Sequence, residues 1–208
     1  MKPLLLSLFV VAPLFFGTRV WAAQQPLPSP ETGLPQLDEA GQVLVAGRST
    51  PYLIRHLPVS SFPQLPAAVQ QELNHRGCLI PQTYEAHRPE NVVHASLERV
   101  GSSDWAVLCS AQGTVSLLVF FDGNSDRPFV LASSPETERL QPRNAEGALG
   151  FNWGLDRATP QQVRDAQAGM DPRPPLLPHD ALADSVIENY TAYHFYAANA
   201  WTLLPTPN

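Results

Sequence analysis

Charged residues are scarce in this sequence, and lysine is almost absent. Asp, Glu, Lys and Arg make up 15% of the 208 residues, against roughly 25% in ordinary soluble domains. Lys2 is the single lysine, every other strong base is an arginine, and the net charge is −6. Nucleic acids and anionic membrane surfaces are bound through dense basic patches, so this composition argues against both as partners.

Short catalytic motifs are also missing. The sequence has no HExxH pair, no Gly-x-Ser-x-Gly elbow, no phosphate-binding loop and no dinucleotide fingerprint. This removes the acyl-transfer and nucleotide-dependent classes that are easiest to see. It does not remove hydrolases with paired carboxylates, because these leave no short motif. The balance favours a protein that is not an enzyme.

The longest apolar run lies at the start of the chain. Lys2 precedes an apolar segment over residues 4–16, and Val20-Trp21-Ala22 fits the small-x-small cleavage pattern of a secretory signal peptide. Pro13 interrupts the segment, which is well short of the roughly 20 residues of a spanning helix. We therefore predict a signal peptide over 1–22, no stable membrane insertion after its removal, and a periplasmic or secreted bacterial protein.

The chain contains two cysteines, Cys78 and Cys109. In an oxidising compartment two thiols most often pair, so export predicts a disulfide between them. No protease motif surrounds either residue, which makes a cysteine nucleophile the weaker interpretation.

Proline is abundant, with 22 residues, and it divides the chain. We predict a Pro-rich linker over 23–41, a single domain over 42–204 and a tail over 205–208. Inside the domain, Pro51, Pro58 and Pro63 predict an irregular segment before the first helix.

Residues 92–122 hold the densest apolar stretch outside the leader. Residues 104–109 and 114–121 are typical of two strands, joined by a turn at Gln112-Gly113. Because both runs are almost continuously apolar, we predict that this hairpin lies in the middle of a sheet and is covered on both faces.

Two short helices are predicted from signals at their ends. Pro66 suits the first position of a helix over 66–75, and Gly77 can supply its left-handed stop. Thr159-Pro160-Gln161-Gln162 has the capping-box pattern and predicts a helix over 160–168. Further strands are predicted at 43–46, 92–97, 129–132, 151–155, 182–188, 190–197 and 201–204. The whole pattern predicts an α+β fold, with a mainly antiparallel β-sheet, two short helices and one disulfide.

A candidate calcium loop follows the central hairpin. Asp122, Asn124 and Asp126 have the alternating spacing of oxygen ligands. The sequence departs from the EF-hand pattern at Arg127, where glycine is needed, and at Ser133, where the bidentate Glu belongs. The alternative interpretation is an ordinary polar turn. Calcium is the one cofactor that the sequence suggests.

A candidate binding patch lies near the end of the chain, where aromatic residues are dense. It comprises Tyr190, Tyr193, Tyr196 and Trp201. Such residues stack on ligands when they are exposed, and the alternative is that they form sheet core or cross-strand pairs.

Residues 96–107 resemble the start of an FG-GAP/VCBS-type repeat. Asp104 and Ala106-Val107 stand where that family runs an acidic, Gly-rich loop into Asp-Leu-Ala-Val. Glu98 is the one acid in this loop, and the other positions lack carboxylates: Arg99, Val100, Ser102 and Ser103. The resemblance implies one repeat unit over about 96–121, from a family whose fold needs several blades to close, and it carries over no calcium at this loop.

Three functions remain open. The leading hypothesis is a non-catalytic exported module that binds an extracytoplasmic protein or an envelope polymer. One alternative is an exported hydrolase inhibitor that presents the polar loop 83–91. Another is an envelope hydrolase that uses two of four carboxylates: Glu85, Glu90, Asp104 and Asp122.

Overall fold

The computed structural model describes residues 37–143, 147–173 and 176–205, all within one compact unit over 31–208. The predicted signal peptide and most of the predicted linker lie outside the described residues. The described residues form two α-helices, α1 (Ala67–His75) and α2 (Pro160–Ala166). They also form thirteen strands: β1 (Leu37–Val45), β2 (Arg48–Pro58), β3 (Leu79–Gln82), β4 (Val92–Ala95), β5 (Asp104–Ala111), β6 (Thr114–Phe120), β7 (Phe129–Pro135), β8 (Leu140–Pro142), β9 (Leu149–Phe151), β10 (Trp153–Ala158), β11 (Ala181–Val186), β12 (Tyr190–Ala197) and β13 (Ala200–Pro205).

The described strands belong to two sheets. The larger sheet has the order β7-β6-β5-β3-β2-β9-β8, with β1 added on β2 and β4 added on β5. The smaller sheet has the order β10-β11-β12-β13. The pairs of neighbouring strands are antiparallel except for β2 and β9, which are parallel. The predicted α+β fold with a mainly antiparallel sheet is therefore confirmed.

Four layers follow from the alternation of side chains along the strands. On β5, Ala106 and Leu108 face the smaller sheet and join an apolar cluster that includes Trp153. Val107 and Cys109 point the other way, into a cluster with the apolar face of α1. A third cluster packs α2 on the outer face of the smaller sheet. The central hairpin is thus covered on both faces, as its apolar runs predicted.

The predicted disulfide is present. Cys78 lies three residues after the end of α1 and is bonded to Cys109 of β5, with a Cα–Cα distance of 5.0 Å. Both residues are buried in the cluster between α1 and the larger sheet. The bond therefore ties the end of the helix to the hairpin strand beneath it.

Element boundaries differ from the prediction at both ends of the domain. β1 begins at Leu37, inside the segment predicted as a linker. β13 runs to Pro205, the first residue of the predicted tail. Residues 206–208 lie outside the described residues.

The prediction that prolines keep 51–58 irregular is wrong, because Pro51 and Pro58 both lie in β2. Pro51 is opposite Gln42 of β1, and on the other side of β2 the pairing with β9 involves only Tyr52 and Leu53. A proline is tolerated at such a place, since its missing amide proton can face the side of the strand that has no neighbour.

The capping box at the start of α2 is confirmed. The Thr159 hydroxyl accepts a hydrogen bond from the Gln162 amide, and the Gln162 side chain accepts one from the Thr159 amide at 2.7 Å.

We expect Thr159→Ala to lower the free energy of unfolding by about 1 kcal/mol, measured by urea denaturation. Thr202→Ala, at an exposed position of β13, is the control, and we expect its effect to stay within about 0.5 kcal/mol. Equal losses in the two variants would contradict the role given to the cap.

Candidate functional site

Four aromatic rings meet where β7, at the edge of the larger sheet, approaches β13, at the edge of the smaller one. The rings belong to Phe121, Phe129, Tyr196 and Trp201, and we call them the aromatic patch. The centroid of the Phe121 ring lies 5.0 Å from that of Phe129, 4.9 Å from that of Tyr196 and 5.9 Å from that of Trp201. These separations and the tilted ring planes are those of favourable aromatic pairs.

Strand alternation places two of these rings. Tyr196 of β12 is directly opposite Trp201 of β13, so both side chains lie on the same face of the smaller sheet. The turn between them is tight, with Ala198 and Asn199 at φ of 50° and 60°. Trp201 packs against the inter-sheet core, which shows that this face is the one turned towards the larger sheet.

The other two rings come from the larger sheet. Phe121 follows β6 in a short 3-10 turn, and Phe129 begins β7. Phe129 is 39% exposed, and the other three rings are partly buried. The patch therefore keeps part of its ring surface in contact with solvent, where it can stack on a ligand.

A hollow of about 420 Å³ adjoins the patch. Phe121 and Phe129 line it together with three polar residues, Asn124, Asp126 and Arg127. A surface that combines ring faces with an amide, a carboxylate and a guanidinium group can bind a ligand with both apolar and hydroxyl faces.

The predicted calcium ligands are divided by the structure. Asn124 and Asp126 line the hollow, and Asn124 Oδ1 accepts a hydrogen bond from the Asp126 amide at 2.9 Å. Asp122 instead accepts one from Arg99 at 2.6 Å and a second from the Ser103 amide. These hydrogen bonds, that from Arg99 above all, lower the pKa of Asp122. Calcium binding here stays a prediction, and the cation would compete with Arg99.

The structure brings together only part of the candidate binding patch that the sequence predicted. Tyr196 and Trp201 lie in it, whereas Tyr190 is at the opposite end of β12 and 42% exposed. Tyr193 lies on the other face of β12, against the cluster under α2. The sequence reasoning missed Phe121 and Phe129. The signal for Phe121 was the alternation along β6: Leu117 and Val119 face the smaller sheet, so Phe121, two residues further, faces it as well.

Asp104, a candidate hydrolase carboxylate, is fully buried and has a structural role. Its Oδ2 accepts hydrogen bonds from the amides of Leu97 and Glu98 at 2.7 and 2.8 Å, and from the Ser102 hydroxyl. Its Oδ1 accepts one from the Asp122 amide at 2.8 Å. This carboxylate thus holds the loop that precedes β5.

The candidate carboxylates Glu85 and Glu90 lie elsewhere, in a polar cleft of about 480 Å³ between the two sheets. Glu90 Oε2 accepts a hydrogen bond from the Thr83 hydroxyl at 2.8 Å. The four candidate acids therefore fall into two separate groups. The acid chemistry of a hydrolase would have to come from the cleft group alone.

Asn91 crosses from one sheet to the other beside this cleft. Its side-chain amide donates to the carbonyls of Pro81 and Trp153 at 2.7 and 3.2 Å. Its side-chain oxygen accepts from the Leu155 amide at 2.8 Å. Pro81 belongs to the larger sheet, and Trp153 and Leu155 belong to the smaller one. A single buried side chain therefore bonds both sheets.

The loop 83–91, which the inhibitor hypothesis would present to an enzyme, is tied to the domain at several points. Arg55 donates hydrogen bonds to the carbonyls of Thr83 and Ala86 at 2.7 and 3.0 Å. The Gln82 side chain bonds both backbone groups of Glu90. The loop forms part of the cleft wall.

Comparison of the chain with models of known families, with curated proteins and with solved structures finds no match. Neither described helix has the length and apolar content needed to cross a membrane.

Proposed function

We propose that this chain is a non-catalytic binding module for a neutral polysaccharide of the cell envelope, exported through its leader. The observation that carries the proposal is the aromatic patch beside a hollow lined by Asn124, Asp126 and Arg127. The disulfide is compatible with an oxidising compartment, and so with export.

The chemistry of a sugar ring fits this surface. A pyranose ring presents a face of C–H groups, which stacks on Phe129 and Tyr196, and a rim of hydroxyl groups. Those hydroxyls can donate to Asp126 and accept from Arg127, while the amide of Asn124 does both. The net charge of −6 and the single lysine disfavour an anionic polymer, which would be repelled over most of the surface.

The two alternatives have less support. An inhibitor needs a loop free to enter an active site, and loop 83–91 is bonded to Arg55 and Gln82. A carboxylate hydrolase needs paired acids. Asp104 is fully occupied as a hydrogen-bond acceptor, which leaves Glu85 and Glu90, and Glu90 already accepts a hydrogen bond from the Thr83 hydroxyl.

Affinity electrophoresis tests the proposal. The folded domain is run through gels that contain neutral soluble glucans, and through matched gels that contain an anionic polymer such as alginate. We expect one or more neutral polymers to retard the protein. Phe129→Ala and Tyr196→Ala should each weaken that binding by at least about tenfold, because each removes a stacking ring.

Tyr190→Ala is the matched control, since it removes an exposed tyrosine of the same strand away from the patch. Unaltered circular dichroism shows that each variant folds. Two results would count against the proposal: no retardation by any neutral polymer, or equal retardation of the patch variants and the control. Recovery of one hydrolase in stoichiometric amount from a periplasmic pull-down would favour the inhibitor instead.

A further inference from the structure

Three side chains that could bind a metal converge away from the residues of the aromatic patch and the cleft. Glu39, His56 and Glu136 each offer one ligand atom, and these atoms all lie within 4.8 Å of one another. None of the three contributes to the aromatic patch, to its hollow or to the polar cleft. The cluster is therefore independent of the proposed polysaccharide site.

The pairing of β1 with β2 brings two of these residues together. Leu37 is opposite His56, and Glu39 is opposite Ile54, so Glu39 and His56 are diagonal neighbours on one face of the hairpin. Tyr52 lies on the same face, and its hydroxyl donates to Glu39 Oε1 at 3.3 Å. The ring needs the space over Gly41, where an added Cβ would lie 2.6 Å from the hydroxyl oxygen.

Glu136 reaches the cluster from the turn that follows β7. The turn is fixed because the Glu136 amide donates to the Gly113 carbonyl at 3.0 Å. The Glu136 Oε1 atom lies 2.8 Å from His56 Nε2, and both residues are 2% exposed. A carboxylate and an imidazole are therefore buried here in direct contact with each other.

Among the described residues, the second oxygen of this carboxylate has no hydrogen-bond partner. Oε2 of Glu136 is buried and makes no hydrogen bond of normal geometry to any described residue. A buried carboxylate oxygen that lacks a hydrogen-bond donor is costly, unless a cation binds it.

We infer that Glu39, His56 and Glu136 form a zinc site that links the β1–β2 hairpin to the turn after β7. Imidazole nitrogen and carboxylate oxygen bind Zn²⁺ at about 2.0–2.2 Å, which places tetrahedral ligands about 3.3–3.6 Å apart. The His56 and Glu136 atoms would separate slightly as zinc replaces their shared proton, and Glu39 would move inwards. Calcium and magnesium prefer oxygen ligands alone, so the imidazole selects zinc over them.

The consequence of binding is a cross-link at a strand with few other anchors. Most residues of β1 are exposed, and among the described strands its pairing partner is β2 alone. The hydrogen bond from the Tyr52 hydroxyl to Glu39 would orient this carboxylate towards the metal.

Calorimetric titration of chelator-treated, tag-free protein with ZnCl₂ tests the inference. We expect one zinc ion per chain, and a loss of affinity of at least about tenfold in Glu39→Gln. Glu39 is exposed, so this variant removes a ligand charge without disturbing the buried pair. Asp38→Asn, the neighbouring exposed carboxylate on the opposite face of β1, is the control and should bind zinc as the unaltered chain does.

Nuclear magnetic resonance of the histidine rings shows where the metal binds. The chain has six histidines, and the inference requires the His56 ring signals to change at one equivalent of zinc. Equal affinity in Glu39→Gln, changes confined to other rings, absence of binding, or calcium binding as tight as zinc would each overturn it.

Discussion

Replacing Asp104 with alanine should lower the free energy of unfolding by about 3–5 kcal/mol, because a buried acceptor of several hydrogen bonds would be lost. Asp104 has no exposed surface and accepts from three backbone amides and one hydroxyl. In the variant these donors stay buried without an acceptor, and each unsatisfied donor costs about 1–3 kcal/mol. The total loss is smaller than the sum of these costs, because the loop before β5 can open and let water reach the donors.

Chemical denaturation followed by circular dichroism measures this effect. Asp104→Asn should fall between the unaltered protein and the alanine variant, since one amide oxygen still accepts. Asp122→Asn is the matched control, an exposed acid in the same network whose ion pair with Arg99 is screened by solvent and contributes little to stability. Similar losses for Asp104→Ala and Asp122→Asn would show that the buried carboxylate does not organise the loop.

Removal of the disulfide should have an effect of similar size. The bond closes a segment with a sequence separation of 31, for which the chain-entropy model gives about 3–4 kcal/mol. The double variant Cys78→Ala/Cys109→Ala should therefore unfold at a lower denaturant concentration, as should the unaltered protein in dithiothreitol. Dithiothreitol should leave the double variant unchanged. A double variant as stable as the oxidised protein would contradict the role of this cross-link.

Local signals allowed much of the fold to be predicted. The capping box at Thr159 and the turn at Gln112-Gly113 act within a few residues, so the sequence carries their geometry directly. The pairing of Cys78 with Cys109 followed from there being two cysteines and a predicted export signal. The position of the central hairpin followed from its continuous apolar runs.

What the sequence did not reveal depends on partners far along the chain. Pro51 led to the prediction of an irregular segment. Whether a strand tolerates a proline depends on which neighbours that strand has, and the sequence does not show the neighbours of β2. Phe121 and Tyr196 meet only because two sheet edges approach each other. Glu136 and His56 are 80 positions apart, and neither belongs to a short motif. Such sites follow from sheet order, which composition and spacing do not determine.

Asn91 has a consequence for motion as well as for stability. Its side chain bonds strands of both sheets beside the polar cleft, so the two sheets cannot swing apart at that point without breaking buried hydrogen bonds. Many proteins enclose a ligand when two parts of the structure close around a hinge. Here the hydrogen bonds of Asn91 fix the width of the cleft at this point, and a small molecule that enters the cleft would bind between walls that do not move apart.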